Sequence, residues 1–217
     1  FTKPFPNAPN PVLKLADLGT VKCPLSTRDA DAIKSRAVQA PFGKGERTVV
    51  DKSVRDTWEL DSTQVVIANS ARKKFVDEAA VEVYRALGVN HGASQPRCDL
   101  YKLLPYETGS HFLPHVDTEK ADGMFATMII VLPSEFTGGA AHLSHGEVLT
   151  VLDCSEGSEL KPTVLAWYTE VKHGIKPITS GFRLALSYNM VHTTTRLRPS
   201  LSENPSMTET LSRVLLA

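Results

Sequence analysis

The chain has 217 residues, and 24 lysines and arginines balance 24 aspartates and glutamates, for a formal net charge of zero. That length suits one domain with one sizeable core, and the balance supplies no global field for nucleic acid or an anionic membrane. The three cysteines, Cys23, Cys98 and Cys154, are odd in number and irregularly spaced, which argues against a disulfide framework or a C-x-x-C metal pair and for a reducing compartment, intracellular and either cytoplasmic or nuclear. No apolar run reaches the roughly 18 residues of a membrane span. The opening Phe-Thr-Lys-Pro is neither an initiator methionine nor a signal peptide; it reads as trimmed, with targeting signals not visible.

Residues 1–11 carry Pro4, Pro6, Pro9 and Pro11 and predict an extended lead-in. Ser26 or Thr27 can cap a helix running to about residue 39, with Ala30, Ile33 and Ala37 on one face; Pro41 and the Gly43/Gly45 pair end it. Short strands are expected at 49–50 and 64–67. The clearest helix is 70–87, where Phe75, Ala79 and Val83 recur every four residues, joined by Val76, Ala80 and Leu87, and Gly88 supplies the stop. That stripe reads as core packing.

From residue 98 the period shortens. β-rich runs at 99–105, 125–132, 139–144, 147–152, 163–169, 174–179 and 182–190 are separated by turn residues such as Gly109, Pro133, Gly146, Gly157 and Gly181, the pattern of a β-sandwich or barrel. The tail from Pro199 is polar, and 207–216 could form a last amphipathic helix. The expected organisation is a single α+β domain over 1–217: a helical support region with short strands (1–97), a β-barrel core (98–192) and a C-terminal tail or helix (193–217).

His115-Val116-Asp117 is an H-x-D triplet, expected near the start of a strand. Alternation puts His115 and Asp117 on one face and Val116 on the other. His173 lies 56 positions beyond Asp117, where a barrel can return it across the interior. Two imidazoles and one carboxylate form the facial set of non-haem iron(II) oxygenases, leaving open positions for a chelating co-substrate and dioxygen. An exposed turn is the plain alternative for the triplet alone.

Arg183 follows His173 by ten positions. The residues between suggest a strand, a Ser180-Gly181 turn and a second strand, a hairpin that would return position 183 to the neighbourhood of 173. A guanidinium among Phe182, Leu184, Ala185 and Leu186 is costly to bury unless a carboxylate pairs with it. The distal carboxylate of 2-oxoglutarate is a planar fork of the kind arginine binds in bidentate fashion. Ala185 and Ser187 share that face, one leaving room and the other offering a hydroxyl. An edge strand with Arg183 in solvent is the other reading.

The run from Tyr101 through Lys120, the Val131-Leu-Pro-Ser-Glu-Phe-Thr-Gly-Gly stretch and the segment from His173 through Asn189 resemble the prolyl 4-hydroxylase-like branch of iron(II)/2-oxoglutarate dioxygenases. The likeness spans roughly 98–192, and residues 41–67 are more weakly similar to fungal members. It implies a double-stranded β-helix (jelly roll) core braced by N-terminal helices. It implies catalytic iron ligands at His115, Asp117 and His173, with Fe(2+), 2-oxoglutarate and O2 required and ascorbate as reductant. The family's basic residue ten positions past the last ligand is lysine in collagen-type enzymes and arginine in many relatives; here it is Arg183, which weakens transfer of a collagen-type substrate. A tyrosine nine or ten residues before the first ligand often bonds the co-substrate, and Tyr106 stands there, with a plain wall aromatic as the alternative.

The implied activity is hydroxylation of a C–H bond with release of succinate and carbon dioxide, peptidyl proline being the family's best-known target. A small-molecule or nucleobase oxygenase, and a non-catalytic jelly-roll scaffold, stay open beside it; a peptide, protein or small molecule is the expected partner, nucleic acid is disfavoured, and the oligomeric state is not legible. In the loop 118–123, Glu119, Lys120 and Asp122 could line a mouth or simply meet solvent. One of Trp167 and Tyr168 must face inward. His142 and His145 lack a completing ligand, and His111 is about 13 Å from His115 in strand geometry.

Overall fold

The layers follow from two-residue alternation along the central strands. In Arg183–Val191, the side chains of Leu184, Leu186, Tyr188 and Met190 enter one apolar cluster, while Arg183, Ser187 and Asn189 line a cleft on the other face and Ala185 joins the second cluster there. Met124–Val131 does the same: Ala126, Met128 and Ile130 on one side, Thr127, Ile129 and Val131 on the other. Strands with both faces covered are apolar along their length, and all eight residues of Met124–Val131 are buried.

A computed structural model describes residues 1–45 and 47–194. Its largest element is an antiparallel seven-stranded sheet in the order Thr2–Pro4, Thr163–Tyr168, Met124–Val131, Arg183–Val191, Arg97–Tyr106, Trp58–Asp61, Val38–Gln39. A five-stranded sheet runs Val148–Leu152, Ala141–His145, Lys172–Ile175, His111–His115, Arg55–Asp56. Leu104, Ile129 and Leu165 of the large sheet share one buried cluster with Phe112, Ala141, Leu152 and Ile175 of the smaller. The protein is therefore mostly β, a sandwich with its cleft between the sheets. On the outer face of the large sheet, Phe75, Val76, Ala79, Ala80, Val83 and Tyr84 of the helix Ala71–Ala86 join Leu103, Met128 and Leu186, the stripe expected from the four-residue repeat.

Three expectations need correction. The N-terminal region is not helical support alone. It contains the helices Thr27–Arg36 and Ala71–Ala86 and a single turn at His91–Ser94, and it also builds sheet: three of its strands extend the seven-stranded sheet and Arg55–Asp56 edges the other. The first helix stops at Arg36 because Val38–Gln39 pairs with Trp58 and Glu59 instead. The run 174–179 is two strands in different sheets: Lys172–Ile175 in the five-stranded sheet and Ile178–Gly181 paired with Phe136–Gly138. Arg183 thus meets His173 across the cleft and not through a hairpin. The helix expected at 207–216 lies outside the described residues.

Candidate metal centre

His115 closes the strand His111–His115 and stands directly across the ladder from His173 in Lys172–Ile175. The neighbouring Gly174 makes this close pairing possible: a β-carbon there would sit 2.9 Å from both the Phe112 carbonyl oxygen and the Pro114 nitrogen, closer than packed atoms tolerate. Asp117 lies just past the strand, not inside it as the spacing suggested, and its amide donates to the Thr169 carbonyl at 3.2 Å. These two devices, a cross-strand histidine pair and a tethered carboxylate, bring distant residues to one point. The His115 and His173 Nε2 atoms lie 3.8 and 3.7 Å from Asp117 Oδ1, and the ligating atoms of all three fall within 4.8 Å of one another.

The unused atoms of each side chain are occupied. His115 Nδ1 is 2.9 Å from the Leu113 carbonyl and His173 Nδ1 is 2.9 Å from that of Val171. A carbonyl only accepts, so Nδ1 of each ring carries the proton and the Nε2 lone pair is free. The Thr127 hydroxyl donates to Asp117 Oδ2 at 2.7 Å, leaving Oδ1 toward the histidines. This is the way ligating groups are oriented around metals. Burial, followed by the neighbouring His173, pushes His115 down to about 4, so His115 is a neutral donor at physiological pH. Phe112 stacks on its ring at 3.5 Å between centroids, and Trp167 lies 4.7 Å from that of His173.

The three residues open on a cleft of about 240 Å³ between the sheets. Arg183 lines it from the large sheet and is 2% exposed. It faces Tyr106 across the ladder, with Cζ 5.1 Å from the phenol ring centroid, and its Nε has no hydrogen-bond partner among the described residues. Cys154 lies beside it; burial raises the thiol's pKa and the guanidinium pulls against that. Ser187 lines the same wall. The residues singled out from sequence, His115, Asp117, His173, Arg183, Tyr106 and Ser187, therefore border one space. Of the loop residues, Lys120 reaches it, while Glu119 and Asp122 do not. Trp167 is the inward-facing aromatic, and Tyr168 points away to donate to the Leu87 carbonyl at 2.6 Å. His111, His142 and His145 stand outside the cluster.

Sequence reasoning missed Thr127, Arg55, Glu59, Lys102 and Asn189. Thr127 carried a signal, a hydroxyl at an inward position of an otherwise apolar strand. Lys102 and Asn189 carried the same alternation that marks Tyr106 and Ser187, while Arg55 and Glu59 sit on short strands whose partners are far away in sequence.

No family sequence model matches the chain, and no curated protein matches it in sequence. Solved structures do resemble it. A prolyl hydroxylase from Trichoplax adhaerens, solved with a peptide fragment of the hypoxia-inducible factor oxygen degradation domain, superposes with a TM-score of 0.51 at 14% identity, over 76% of this chain and 76% of that one. The likeness is one of fold. A prolyl-4-hydroxylase from Pseudomonas putida gives a TM-score of 0.48 at 17% identity, over 77% of this chain and 82% of the other.

Proposed function

We propose that the chain is an iron(II)- and 2-oxoglutarate-dependent dioxygenase hydroxylating a C–H bond of its substrate, built on a double-stranded β-helix core. The observation that carries this reading is the convergence of His115, Asp117 and His173, with both Nε2 lone pairs free, on a cleft whose opposite wall presents a buried arginine whose Nε has no partner among the described residues. The donor set fits the metal: two imidazoles and a carboxylate oxygen, with no thiolate, match the iron(II) facial set and leave positions open. The dicarboxylate fits as well. Leaving a guanidinium buried and unpaired costs several kcal/mol, and a bidentate carboxylate is the group that offsets it.

In this reading His115, Asp117 and His173 hold iron(II), and Arg183 holds the far carboxylate of 2-oxoglutarate, with the Tyr106 phenol and the Ser187 hydroxyl beside it. When bound, the metal and co-substrate supply the oxidising power drawn from O2, with succinate and carbon dioxide as co-products. The chain's part is placement. Thr127 and the two backbone carbonyls fix ligand orientation. Leu104, Ile129 and Trp167 form apolar wall that limits water. Peptidyl proline is the first substrate to test, supported by the fold shared with a peptide-bound prolyl hydroxylase; a small molecule is the alternative. The test is succinate release from 2-oxoglutarate with Fe(II), ascorbate and O2. A metal-dependent rate supports the reading, and no succinate together with no 2-oxoglutarate binding refutes it.

A further inference from the structure

The cleft has a second cationic pole that the oxygenase reading leaves unused. Arg97–Tyr106 sends Tyr106, Leu104 and Lys102 into the cleft, opposite Arg183, Ala185 and Ser187 respectively. Tyr106 and Arg183 mark the deep end, and Lys102 lies four strand residues away, roughly 13 Å along the sheet. Glu59 receives Lys102 there and lies 3.9 Å from Arg55 Nη2. The Arg55, Glu59 and Lys102 side chains are only 14%, 8% and 17% exposed. Arg55 is held rigidly: Nη1 donates to the Pro41 carbonyl at 2.6 Å, and Cζ sits 4.6 Å from the centroid of the Phe112 ring that stacks on His115. Its Nε is buried and has no partner among the described residues.

Charge bears on what this pole receives. Four cations, Arg55, Lys102, Lys120 and Arg183, line the cleft against two carboxylates, Glu59 and Asp117. A divalent metal and a dianionic 2-oxo acid cancel each other, so a loaded centre keeps the cationic excess. A diacid gripped by Arg183 takes the deep end marked by Tyr106, four strand residues from the point where Lys102 enters the cleft. Glu59 neutralises one of those two cations, so the pole carries one net positive charge and matches a monoanion. A phosphate dianion would face the fixed Glu59 carboxylate.

We infer that the substrate carries a carboxylate, received by Arg55 and Lys102 while the C–H bond to be oxidised lies toward His115 and His173. This rests on the oxygenase reading and narrows its substrate class to acids, either a free acid or an acidic side chain in a peptide. Arg55 and Lys102 are specificity-determining residues here, and Glu59 sets their net charge.

The experiment uses the full chain loaded with Mn(II) and 2-oxoglutarate without turnover, reading proton relaxation of weakly bound probes by the bound manganese. Two matched pairs separate the sources: N-acetylproline against its amide, and acetyl-Glu-Pro-Gly amide against its Gln counterpart. At least one acid should show affinity on the order of tenfold above its neutral partner, since a charge-assisted hydrogen bond is gained. Arg55→Gln should abolish that preference with unchanged 2-oxoglutarate affinity, and Glu59→Gln should enlarge it. A merely structural ion cluster would move both variants in the same direction. Equal binding of acid and neutral partner in both pairs, loss of binding in Glu59→Gln, or tighter binding of AMP than of either acid overturns the inference and leaves the oxygenase reading standing. Failure of the wild type to bind 2-oxoglutarate overturns both.

Discussion

Arg183→Met separates a functional guanidinium from a structural one, because the two roles predict opposite signs. Arg183 is 2% exposed and its Nε lacks a partner among the described residues. Removing a buried charge that has no carboxylate partner among the described residues should leave the metal-free, ligand-free protein as stable as before or more stable. Co-substrate affinity should fall, since truncating one member of a buried, hydrogen-bonded charge pair costs about 2–5 kcal/mol. A loss of about 2.7 kcal/mol is roughly a hundredfold in Kd. Isothermal titration of the Mn(II) form with 2-oxoglutarate reads this directly, and denaturant unfolding reads it independently. At a co-substrate concentration of about 100 times the wild-type Kd, the wild type gains about 2.7 kcal/mol of stability, whereas the variant gains about 0.4 kcal/mol. Metal affinity should stay the same, because Arg183 enters from the sheet opposite the histidines. A variant that binds 2-oxoglutarate within about threefold of wild type, yet unfolds at much lower denaturant, would refute the assignment and make Arg183 a fold residue.

Thr127→Val keeps shape but removes the donor to Asp117 Oδ2; metal affinity should drop about 10- to 100-fold, as read by Mn(II) titration, with the circular dichroism spectrum unchanged. His115→Ala and Asp117→Ala should each abolish succinate release, and wild-type turnover in both would remove the metal assignment. The depressed His115 pKa also bears on stability. Its folded value is about 4 against an ordinary 6.5, so between those limits the unfolded chain binds more protons and stability rises with pH. In EDTA, His115 should therefore contribute up to ~3 kcal/mol that is complete above pH 6.5 and lost as pH falls toward 4. His115→Gln should flatten that part of the urea-midpoint profile, and an identical acid slope in both proteins would contradict the burial argument.

What could be read before the structure divides by the range of the interaction. The helix Ala71–Ala86 was legible because its stripe is set by a local period, and Arg183 and Ser187 were legible as one face of a strand for the same reason. The N-terminal strands were not. Two- and three-residue strands such as Val38–Gln39 and Arg55–Asp56 have too few residues to show a period; their partners, at Trp58 and at Phe112, define them. The hairpin drawn between His173 and Arg183 failed similarly, since Ile178–Gly181 has its own partner in Phe136–Gly138 and turns the chain into the other sheet.

That failure explains how the site is built. A hairpin would have set His173 and Arg183 side by side on one wall, with cation beside metal. Placing them on opposing sheets instead leaves an open gap between the histidine pair and a buried guanidinium, and each sheet then contributes by its own alternation. The five-stranded sheet supplies the imidazole donors through the His115–His173 pair, and the seven-stranded sheet supplies a row running from Arg183 through Ser187 to Asn189. Each of the two sheets that border the gap is ordered by its own ladder. A substitution that slips the register of Arg183–Val191 by one residue would turn Arg183 into the helix-facing core and Leu184 into the cleft. Such a variant should lose co-substrate binding and fold stability together, whereas Arg183→Met loses only the first.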